Sequence, residues 1–488
     1  MQYTATRNNK EQVNSSFAIA KGLSKDGGLY LPTEIPSFTK EELTALKTAS
    51  YIERAEIVLG KFLTDFTKEE LHACCFNAYN GSFDGGHPAP VKPLNETLNV
   101  LELWHGPTCA FKDLALQILP HLLTTSTKKI GSNKETVILV ATSGDTGKAA
   151  LEGFKDVEGT KIIVFYPTDG VSKMQKRQMA TQEGKNVMVC SIKGNFDDAQ
   201  TGVKVIFGDK EFNAQITENN KHLSNANSIN WGRLAPQIVY YVSAYFDMGC
   251  PNEFNVVVPT GNFGNILAAF YAKQMGIPIN KLICASNKNR VLTDFLKSGE
   301  YNKNREFYAT ESPSMDILIS SNLERLLYLL NGKNDQEIVD LQNKLFSIGE
   351  YKVSNEVLEK ISENFVGGCC DDAETKSTIK ETYDKYGYLI DTHTAVAFKV
   401  YNDYVAKTGD NTKTVIASTA SPYKFAPSVL NALNQVLCDD DFENLEKLSK
   451  YTNTQIPQSI KELKEKEIRF NGVIEKQEMK QAVAEFLK

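Results

Sequence analysis

Lys112 stands in an apolar stretch of the sequence, where a charged side chain is unexpected. The stretch reads WHGPTCAFKDLALQ over residues 104–117, and Asp113 follows the lysine directly. A lysine at the start of a helix most often buries its aliphatic stem and keeps its ammonium group in water. Burial of the amine itself would lower its pKa, and the neutral amine can condense with a carbonyl group to form a Schiff base. Lys112 is therefore a candidate nucleophile.

Two glycine-rich segments have the composition of anion-binding turns, TGNFGN over residues 260–265 and TSGDTG over residues 142–147. Gly261 and Gly264 allow the backbone to approach a ligand and to adopt positive φ. A helix is predicted from about Asn265, and its free N–H groups and dipole favour a phosphate group. In the other segment Ser143, Thr146 and the backbone amides could hold a second anion, such as a carboxylate. Each segment could also be a plain tight turn or a helix cap.

These segments follow short apolar runs that are typical of buried strands: NVLELW, TVILVA, KIIVFY, NVMVCSI, FNVVVP, LICASN and KTVIAS. The runs alternate with helical patterns, which predicts an α/β fold with doubly wound parallel sheets in two lobes. Ligands bind beyond the carboxyl ends of the strands in such sheets. The segments that hold Lys112 and the two glycine-rich turns should therefore meet in one crevice. A lysine, a phosphate cradle and a carboxylate cradle together indicate pyridoxal phosphate and an amino-acid substrate.

The composition of the whole chain excludes several classes of protein. The 488 residues carry a net charge of −6, which gives no indication of a nucleic acid or an anionic membrane as partner. Nine cysteines without a CxxC pair and six histidines without an HExxH pair predict neither disulfides nor a metal site. The sequence shows neither a signal peptide nor a transmembrane run, so a cytoplasmic protein is predicted.

Composition and turn signals also predict the domain boundaries. Residues 1–95 should form a helix-rich N-terminal subdomain, because the Gly/Pro-rich segment NGSFDGGHPAPVKPL ends it. Residues 96–130 and 235–488 are predicted to form the large α/β domain with its C-terminal helices. Residues 131–234 are predicted to form a small α/β domain.

Five motifs resemble those of threonine synthase, a family of fold type II pyridoxal-phosphate enzymes. They are HGPTCAFKD, ATSGDTG, NSINWGR, PTGNFGN and STASPYKF, in the order of the family. The opening YTATRN…SFAIAKGLSKDGGLYLP is similar to the family's N-terminal region, so the resemblance covers nearly the whole chain. It implies a tryptophan synthase β-like fold and a monomer or dimer. It also implies conversion of O-phospho-L-homoserine and water to L-threonine and phosphate, the last step of threonine biosynthesis.

The resemblance also implies roles for individual residues. Lys112 would bind the cofactor aldehyde and move protons, and Thr419 would face the pyridine nitrogen. The cofactor phosphate would be bound by Gly261, Asn262, Phe263, Gly264 and Asn265. The substrate carboxylate would lie at Ser143, Gly144, Asp145, Thr146 and Gly147, and the substrate phosphate at Asn227, Ser228 and Arg233.

Several positions leave alternatives open. Arg233 is placed in a loop before an apolar helix, where its charge would oppose the helix dipole, so a phosphate-binding role is favoured over a cap. Lys424 is interpreted as a surface lysine, and Asp391 as part of a helix cap. Ser421 stands where the family commonly has histidine. This change leaves a non-catalytic homologue that binds the cofactor as one alternative. A related lyase such as serine/threonine dehydratase is the other.

Overall fold

Short runs rich in Val, Ile and Phe form the strands that position the candidate site. The computed structural model describes residues 1–142, 144–169 and 171–488. The strands are β1 (Tyr3–Ala5), β2 (Asn8–Val13), β3 (Tyr30–Pro32), β4 (Val91–Pro93), β5 (Leu98–Glu102), β6 (Glu135–Ala141), β7 (Thr160–Pro167), β8 (Val187–Ile192), β9 (Lys221–Ser224), β10 (Phe254–Pro259), β11 (Ile279–Ser286), β12 (Glu300–Asn302), β13 (Glu350–Lys352), β14 (Phe365–Cys369), β15 (Thr414–Ser418) and β16 (Val473–Ile474).

Many of the helices begin after a Ser, Thr, Asn or Asp side chain that accepts a hydrogen bond from a backbone N–H group of the first turn. The helices are α1 (Ser15–Lys21), α2 (Lys40–Thr48), α3 (Tyr51–Phe62), α4 (Lys68–Tyr79), α5 (Asp113–Leu116), α6 (Leu119–Lys129), α7 (Asp145–Phe154), α8 (Lys173–Ala180), α9 (Phe196–Gly208), α10 (Lys210–Glu218), α11 (Trp231–Asp247), α12 (Gly264–Gln274), α13 (Val291–Ser298), α14 (Leu323–Leu330), α15 (Asp335–Ser347), α16 (Asn355–Asn364), α17 (Asp372–Tyr386), α18 (Thr392–Thr408), α19 (Ala426–Ala432), α20 (Asp441–Thr452), α21 (Gln458–Lys461) and α22 (Met479–Phe486).

Two sheets position the site. The larger has the strand order β14-β11-β10-β15-β5-β4, and the smaller has the order β16-β8-β7-β6-β9. Neighbouring strands pair in parallel except β4 and β5, which are antiparallel. Every residue of the central strands β10 and β15 is buried, as expected for parallel strands covered on both faces. The predicted fold class, with two parallel sheets in two lobes, is confirmed.

The N-terminal region packs onto the helix that follows the NSINW motif. Its helices α1 to α4 accompany a small antiparallel sheet with the order β2-β1-β3. The ring of Trp231 lies at the start of α11, with its centroid 5.6 Å from that of Tyr3, 5.5 Å from that of Phe62 and 5.3 Å from that of Tyr271. This aromatic cluster fixes the entry of α11, and with it the polar loop that precedes the helix.

The C-terminal segment differs from the predicted domain boundary. Residues 235–488 were assigned as a whole to the large domain, yet Val473 and Ile474 form β16 and pair with β8 of the smaller sheet. Met479, at the start of α22, is buried in the apolar cluster of that same sheet, next to Val203 and Ile206 of α9. A two-residue edge strand in a charged tail carries too short an apolar signal to be assigned to a sheet from sequence.

Strand β14 was also missed, because its sequence FVGGC contains two glycines, which are depleted in strands. The glycines allow close packing here. A Cβ atom on Gly368 would lie 2.5 Å from Cγ1 of Val400, and one on Gly367 would lie 3.0 Å from Cα of Thr293. Helices α13 and α18 therefore approach this end of the larger sheet closely.

Two further findings concern the described residues only. None of their helices is long and apolar enough to cross a membrane. No group of three or more His, Cys, Asp or Glu side chains among them is arranged to hold a metal ion.

Candidate active site

The segment that contains Lys112 pairs with the segment that contains Thr419. The backbone N–H of Phe111 donates to the carbonyl oxygen of Thr419 at 2.8 Å, and the N–H of Ser421 donates to the carbonyl oxygen of Cys109 at 3.0 Å. The two segments leave β5 and β15, which are neighbours in the larger sheet. Lys112 and Thr419 are therefore held side by side at the carboxyl ends of adjacent strands.

The Lys112 amine lies in surroundings that favour its neutral form. Its Nζ atom is 3.4 Å from the Ser314 hydroxyl. Burial lowers the pKa of Lys112 to about 8, and the nearby cations Lys424 and Arg233 act in the same direction, whereas Asp145 opposes them. The amine therefore loses its proton close to neutral pH, which is the property that a nucleophilic lysine needs.

Asp113 shapes the turn before the lysine. Its carboxylate accepts hydrogen bonds from the Thr108 backbone N–H at 2.8 Å and from the Thr108 hydroxyl at 2.6 Å. A Cβ atom on Gly106 would lie 2.5 Å from the Asp113 side chain, so only glycine fits at that position. Burial raises the pKa of Asp113 to about 6 in spite of these hydrogen bonds. The carboxyl group thus holds the HGPT turn closed.

Lys424 is buried, and its interpretation as a surface lysine is wrong. Its Nζ atom lies 2.6 Å from Oδ1 of Asp145 and donates to the Thr108 carbonyl oxygen at 3.0 Å. Lys424 belongs to the short 3-10 turn Pro422–Phe425, whose side chains are all buried. Its partner follows a strand of the other sheet, about 280 residues earlier in the chain, so sequence alone could not identify the ion pair.

The predicted carboxylate cradle is a tight turn at the start of α7. Gly144 has φ 144°, and a Cβ atom there would lie 2.4 Å from the Gln175 side chain. The Thr142 hydroxyl accepts hydrogen bonds from the N–H groups of Gly144 at 3.0 Å and Gly147 at 2.9 Å. The N–H groups of Asp145 and Thr146 donate to no acceptor among the described residues, which leaves them available to an anion within that part of the chain. The prediction for Ser143 lies outside the described residues.

The Asp145 side chain does not itself serve as an anion ligand, because its carboxylate accepts hydrogen bonds from neighbouring side chains. Gln175 donates to its Oδ1 at 2.9 Å, in addition to the ion pair with Lys424, and the Ser314 hydroxyl lies 3.4 Å from its Oδ2. Burial alone would raise the pKa of Asp145, but Lys424 and Lys112 lower it well below its usual range. The carboxylate is therefore ionised and neutralised by lysine.

The predicted phosphate cradle has free donors, although its backbone differs from the prediction. Gly261 and Gly264 would allow positive φ, but the residue in the left-handed region is Phe263, with φ 62°. Gly261 is required by space instead, since a Cβ atom would lie 2.8 Å from the Ser314 carbonyl oxygen. The backbone N–H groups of residues 261–265 donate to no acceptor in the described part of the chain. Helix α12 begins at Gly264, so these donors converge on a helix N-terminus.

Asn265 contributes an additional donor in the first turn of α12. Its side-chain oxygen accepts hydrogen bonds from the hydroxyl groups of Tyr240, at 2.9 Å, and Tyr241. Its Nδ2 atom is buried and has no hydrogen-bond partner in the described residues. A buried amide donor without a partner is costly, so an acceptor such as a phosphate oxygen would satisfy it.

Arg233 lies inside helix α11, and its prediction as a loop residue is wrong. It occupies the first turn, because Asn230 caps the helix and accepts a hydrogen bond from the Gly232 N–H at 2.8 Å. Arg233 is only 4% exposed, and Nη1 donates to the Ala226 carbonyl oxygen at 2.6 Å. Among the described residues no carboxylate pairs with it, and its Nε atom has no partner. The charge is thus buried at the positive end of a helix.

Asn227 and Ser228 lie in the loop before that helix. Asn227 is exposed, and the Ser228 hydroxyl lies 3.4 Å from that of Ser321. The Ser321 hydroxyl also donates to Oδ1 of Asn262 at 3.3 Å. The loop before α11 therefore lies next to the 261–265 turn.

The sequence analysis missed the segment 312–322, which contacts Lys112, Asp145, the 261–265 turn and the NSIN loop. Ser314 contacts Lys112 and Asp145, and its backbone N–H donates to Nε2 of His393 at 3.2 Å. Asp391, correctly predicted as a helix cap, accepts from the N–H of His393 at 2.9 Å. The segment was missed because it follows no strand of the two parallel sheets, although its sequence SPSMDILISSN is unusually rich in serine for a stretch between apolar helices.

Three family models match the chain. Residues 2–79 match "Threonine synthase N terminus", residues 88–419 match "Pyridoxal-phosphate dependent enzyme", and residues 394–486 match "Threonine synthase, C-terminal". Together the models cover both the N-terminal region and the segments that line the crevice.

Curated relatives and solved structures agree with the family models. Threonine synthase-like 1 of Macaca fascicularis is 44% identical over 446 residues, which are 87% of this chain and 59% of that protein. Threonine synthase of Pseudomonas aeruginosa is 37% identical over 433 residues, which cover 88% of this chain and 90% of that one. A crystal structure of pyridoxal-phosphate-bound threonine synthase from Brucella melitensis is 37% identical, with a TM-score of 0.89 and coverage of 100% and 98%.

Pyridoxal phosphate is the cofactor of this family, and the residues of the crevice fit it. Lys112 offers an amine with a lowered pKa to the aldehyde, and the free N–H groups of residues 261–265 offer a cradle to the phosphate. The chain spans 59% of the length of the threonine synthase-like 1 protein that it matches, whereas it matches threonine synthases over nearly their full length. It belongs to the threonine synthase family of fold type II pyridoxal-phosphate-dependent enzymes.

Proposed function

We propose that this protein is a threonine synthase, which converts O-phospho-L-homoserine and water to L-threonine and phosphate. The observation that carries the proposal is the buried guanidinium group of Arg233, which has no acidic partner in the described residues. The relatives of this chain include threonine synthases that match it over most of its length. The proposal assigns the unpaired cation to the phosphate group of the substrate.

The energetic argument concerns the cost of burying an unpaired charge. Burial lowers the pKa of Arg233 to about 10, yet the side chain stays protonated at neutral pH. Its position in the first turn of α11 adds repulsion from the helix dipole. A dianionic phosphate would offset both penalties and could accept two parallel N–H bonds from the planar guanidinium.

Other residues of the chain would perform the remaining tasks. Pyridoxal phosphate, when bound, withdraws electrons from the α carbon of an amino acid. Lys112 would move protons between the α carbon and its neighbours, since its amine changes protonation near neutral pH. The free N–H groups of Asp145 and Thr146 would bind the substrate carboxylate at the start of α7. Asn227 and Ser228 would contact the leaving phosphate beside Arg233.

A serine/threonine dehydratase is the alternative within the same chemistry, and the unpaired Arg233 argues against it. Its substrates carry no phosphate, so the buried cation would remain without an anionic partner in the described residues. A non-catalytic homologue is the second alternative, motivated by Ser421 in place of the family's common histidine. In this chain the Ser421 hydroxyl accepts a hydrogen bond from the Tyr423 N–H at 3.3 Å, so it caps the turn that carries Lys424.

The deciding experiment incubates the purified, cofactor-loaded protein with O-phospho-L-homoserine and measures phosphate and threonine together. Equal amounts of both products are expected. L-serine and L-threonine are offered in parallel, and 2-oxo acid formation from them is recorded. Oxo-acid formation without phosphate release would indicate the dehydratase. Cofactor absorbance without any product from the three amino acids would indicate a non-catalytic homologue.

A further inference from the structure

Asn322 connects the two loops to which the phosphate groups of the cofactor and the substrate are assigned. It is fully buried and precedes α14. Its side-chain Nδ2 donates to the carbonyl oxygen of Asn262 at 3.0 Å and to that of Ser228 at 3.3 Å. Its backbone N–H also donates to the Asn262 carbonyl oxygen, at 3.1 Å. One side chain therefore holds both loops, which are 34 residues apart in the sequence.

The orientation of the Asn322 amide is fixed by Arg325. The guanidinium of Arg325 donates to Oδ1 of Asn322 through Nη1 and to the Ile229 carbonyl oxygen through Nη2. Its Nε atom donates to the Tyr30 carbonyl oxygen at 3.0 Å. Because arginine can only donate, Oδ1 must face it, and Nδ2 is left to donate to the two loops.

Two serines beside Asn322 extend the same contact. The Ser320 hydroxyl donates to the Gly261 carbonyl oxygen at 2.7 Å. The Ser321 hydroxyl donates to Oδ1 of Asn262 at 3.3 Å and lies 3.4 Å from the Ser228 hydroxyl. Residues 320–322 thus bind successive carbonyl groups on one side of the loop 261–265.

The hydrogen bonds to these carbonyl groups determine the direction of the backbone N–H groups in the same peptides. In a trans peptide the C=O and N–H bonds point in opposite directions. A hydrogen bond to the Gly261 carbonyl therefore directs the N–H of Asn262 away from residues 320–322, and a bond to the Asn262 carbonyl does the same for the N–H of Phe263. The bond to the Ser228 carbonyl orients the peptide between Ser228 and Ile229 in the same way. These oriented N–H groups of residues 262 and 263 are among those that have no acceptor in the described residues.

We propose that Asn322 is a positioning residue that serves both phosphate sites, because its amide orients the cofactor-phosphate loop and the substrate-phosphate loop together. The part of this proposal that concerns the substrate phosphate rests on the proposed function. Asn322 touches neither phosphate. It acts through the backbone of Asn262 and Ser228, so its loss should weaken the binding of both ligands at once.

The test uses two variants of the full-length protein. Asn322→Asp keeps the size of the side chain and the acceptor for Arg325 but removes both Nδ2 donations, and Asn322→Ala removes them without adding a charge. The dissociation constant of pyridoxal phosphate is measured by absorbance titration of the cofactor-free protein. The dissociation constant of the phosphonate analogue of O-phospho-L-homoserine is measured on the cofactor-saturated protein from the change in cofactor absorbance.

Both dissociation constants are expected to rise about tenfold in both variants, since each loop loses one hydrogen bond to a buried donor. Asn444→Ala is the matched control. Asn444 lies in α20, outside the proposed site, and is also buried. Its side-chain Nδ2 donates to the Cys438 carbonyl oxygen at 3.0 Å. The control should lose thermal stability while both affinities stay unchanged. Ser320→Ala should weaken cofactor binding alone, since the hydroxyl that it removes donates to the Gly261 carbonyl oxygen.

The outcomes separate this inference from the proposed function. Asn322 variants that keep either affinity at the wild-type value contradict the shared role of Asn322. If the Asn322 variants fail to fold, Ser320→Ala still tests the argument from oriented carbonyl groups. Equal losses of both affinities in Ser320→Ala, or no loss of either, would contradict that argument. A wild-type protein that binds the cofactor but not the phosphonate contradicts the proposed function itself, and the substrate half of this proposal with it.

Discussion

The Lys424 ammonium group lies 2.6 Å from the Asp145 carboxylate, and their side chains are 0% and 4% exposed. Lys424 follows β15 of the larger sheet, whereas Asp145 follows β6 of the smaller sheet. The ion pair therefore joins the carboxyl ends of the two sheets beside the reactive lysine. Neither charge could remain buried there without the other.

Replacement of Lys424 by methionine should destabilise the protein by about 3–5 kcal/mol, because the Asp145 carboxylate is left buried and unpaired. The free energy of unfolding is measured by urea titration monitored by circular dichroism. The double variant Lys424→Met with Asp145→Asn should recover much of the loss, since it leaves no unpaired charge. A double variant as unstable as the sum of the two single variants would show that the pair does not interact.

The purified protein should be yellow, because Lys112 binds the cofactor aldehyde covalently. Reduction with borohydride followed by peptide mapping should place the label on Lys112. The Lys424 amine is the matched comparison, since it is also buried nearby but is paired with Asp145. A label on Lys424 or on any other lysine would contradict the assignment of Lys112.

The rate at which cofactor-free protein takes up pyridoxal phosphate should rise with pH and level off above about 8, because burial lowers the pKa of Lys112 to about 8 from its usual 10.5. The sign follows from the neutral amine being the nucleophile, since this form predominates above the pKa of the group. Asp145→Asn should move the midpoint to lower pH, since Asp145 favours the charged amine. Stopped-flow absorbance between pH 6 and pH 10 provides the measurement. A rate that still climbs steeply at pH 10 would mean that the lysine is not perturbed.

Local patterns were sufficient to predict the strands that end at the site and the helix after TGNFGN. Strands such as β10 and β15 are recognisable because they are continuous apolar runs bounded by polar turns. The same reasoning brought Lys112 and the residue 261–265 turn to one crevice, since parallel strands end at one edge of a sheet.

Contacts between distant segments could not be predicted in this way. Two such contacts are the ion pair of Lys424 with Asp145 and the hydrogen bonds of Asn322 to two loops. Both depend on the packing of segments that are far apart in the sequence. Their residue types are ordinary for a surface lysine and a polar loop. The left-handed backbone at Phe263 was missed for a related reason, because the tertiary structure rather than a glycine imposes it.

Arg233 is expected to determine the preference for a phosphorylated substrate. Arg233→Ala should lose about 2–4 kcal/mol of transition-state stabilisation, because a charge-assisted contact in a buried site disappears. Arg233→Lys should restore only part of it, since an ammonium group lacks the planar fork of the guanidinium. The measurement is kcat/KM on O-phospho-L-homoserine, recorded with the cofactor spectrum of the same variant.

The spectrum should persist in the Arg233 variants, because the cofactor phosphate is assigned to the separate loop 261–265. Arg54→Ala is the matched control. Arg54 is a buried arginine that is paired with Asp247 at 2.7 Å, so its loss should lower stability and leave kcat/KM near the wild-type value. If the spectrum collapses together with activity in Arg233→Ala, the arginine supports cofactor binding instead. If activity is unchanged, the unpaired guanidinium has another partner and the phosphate of the substrate is bound elsewhere.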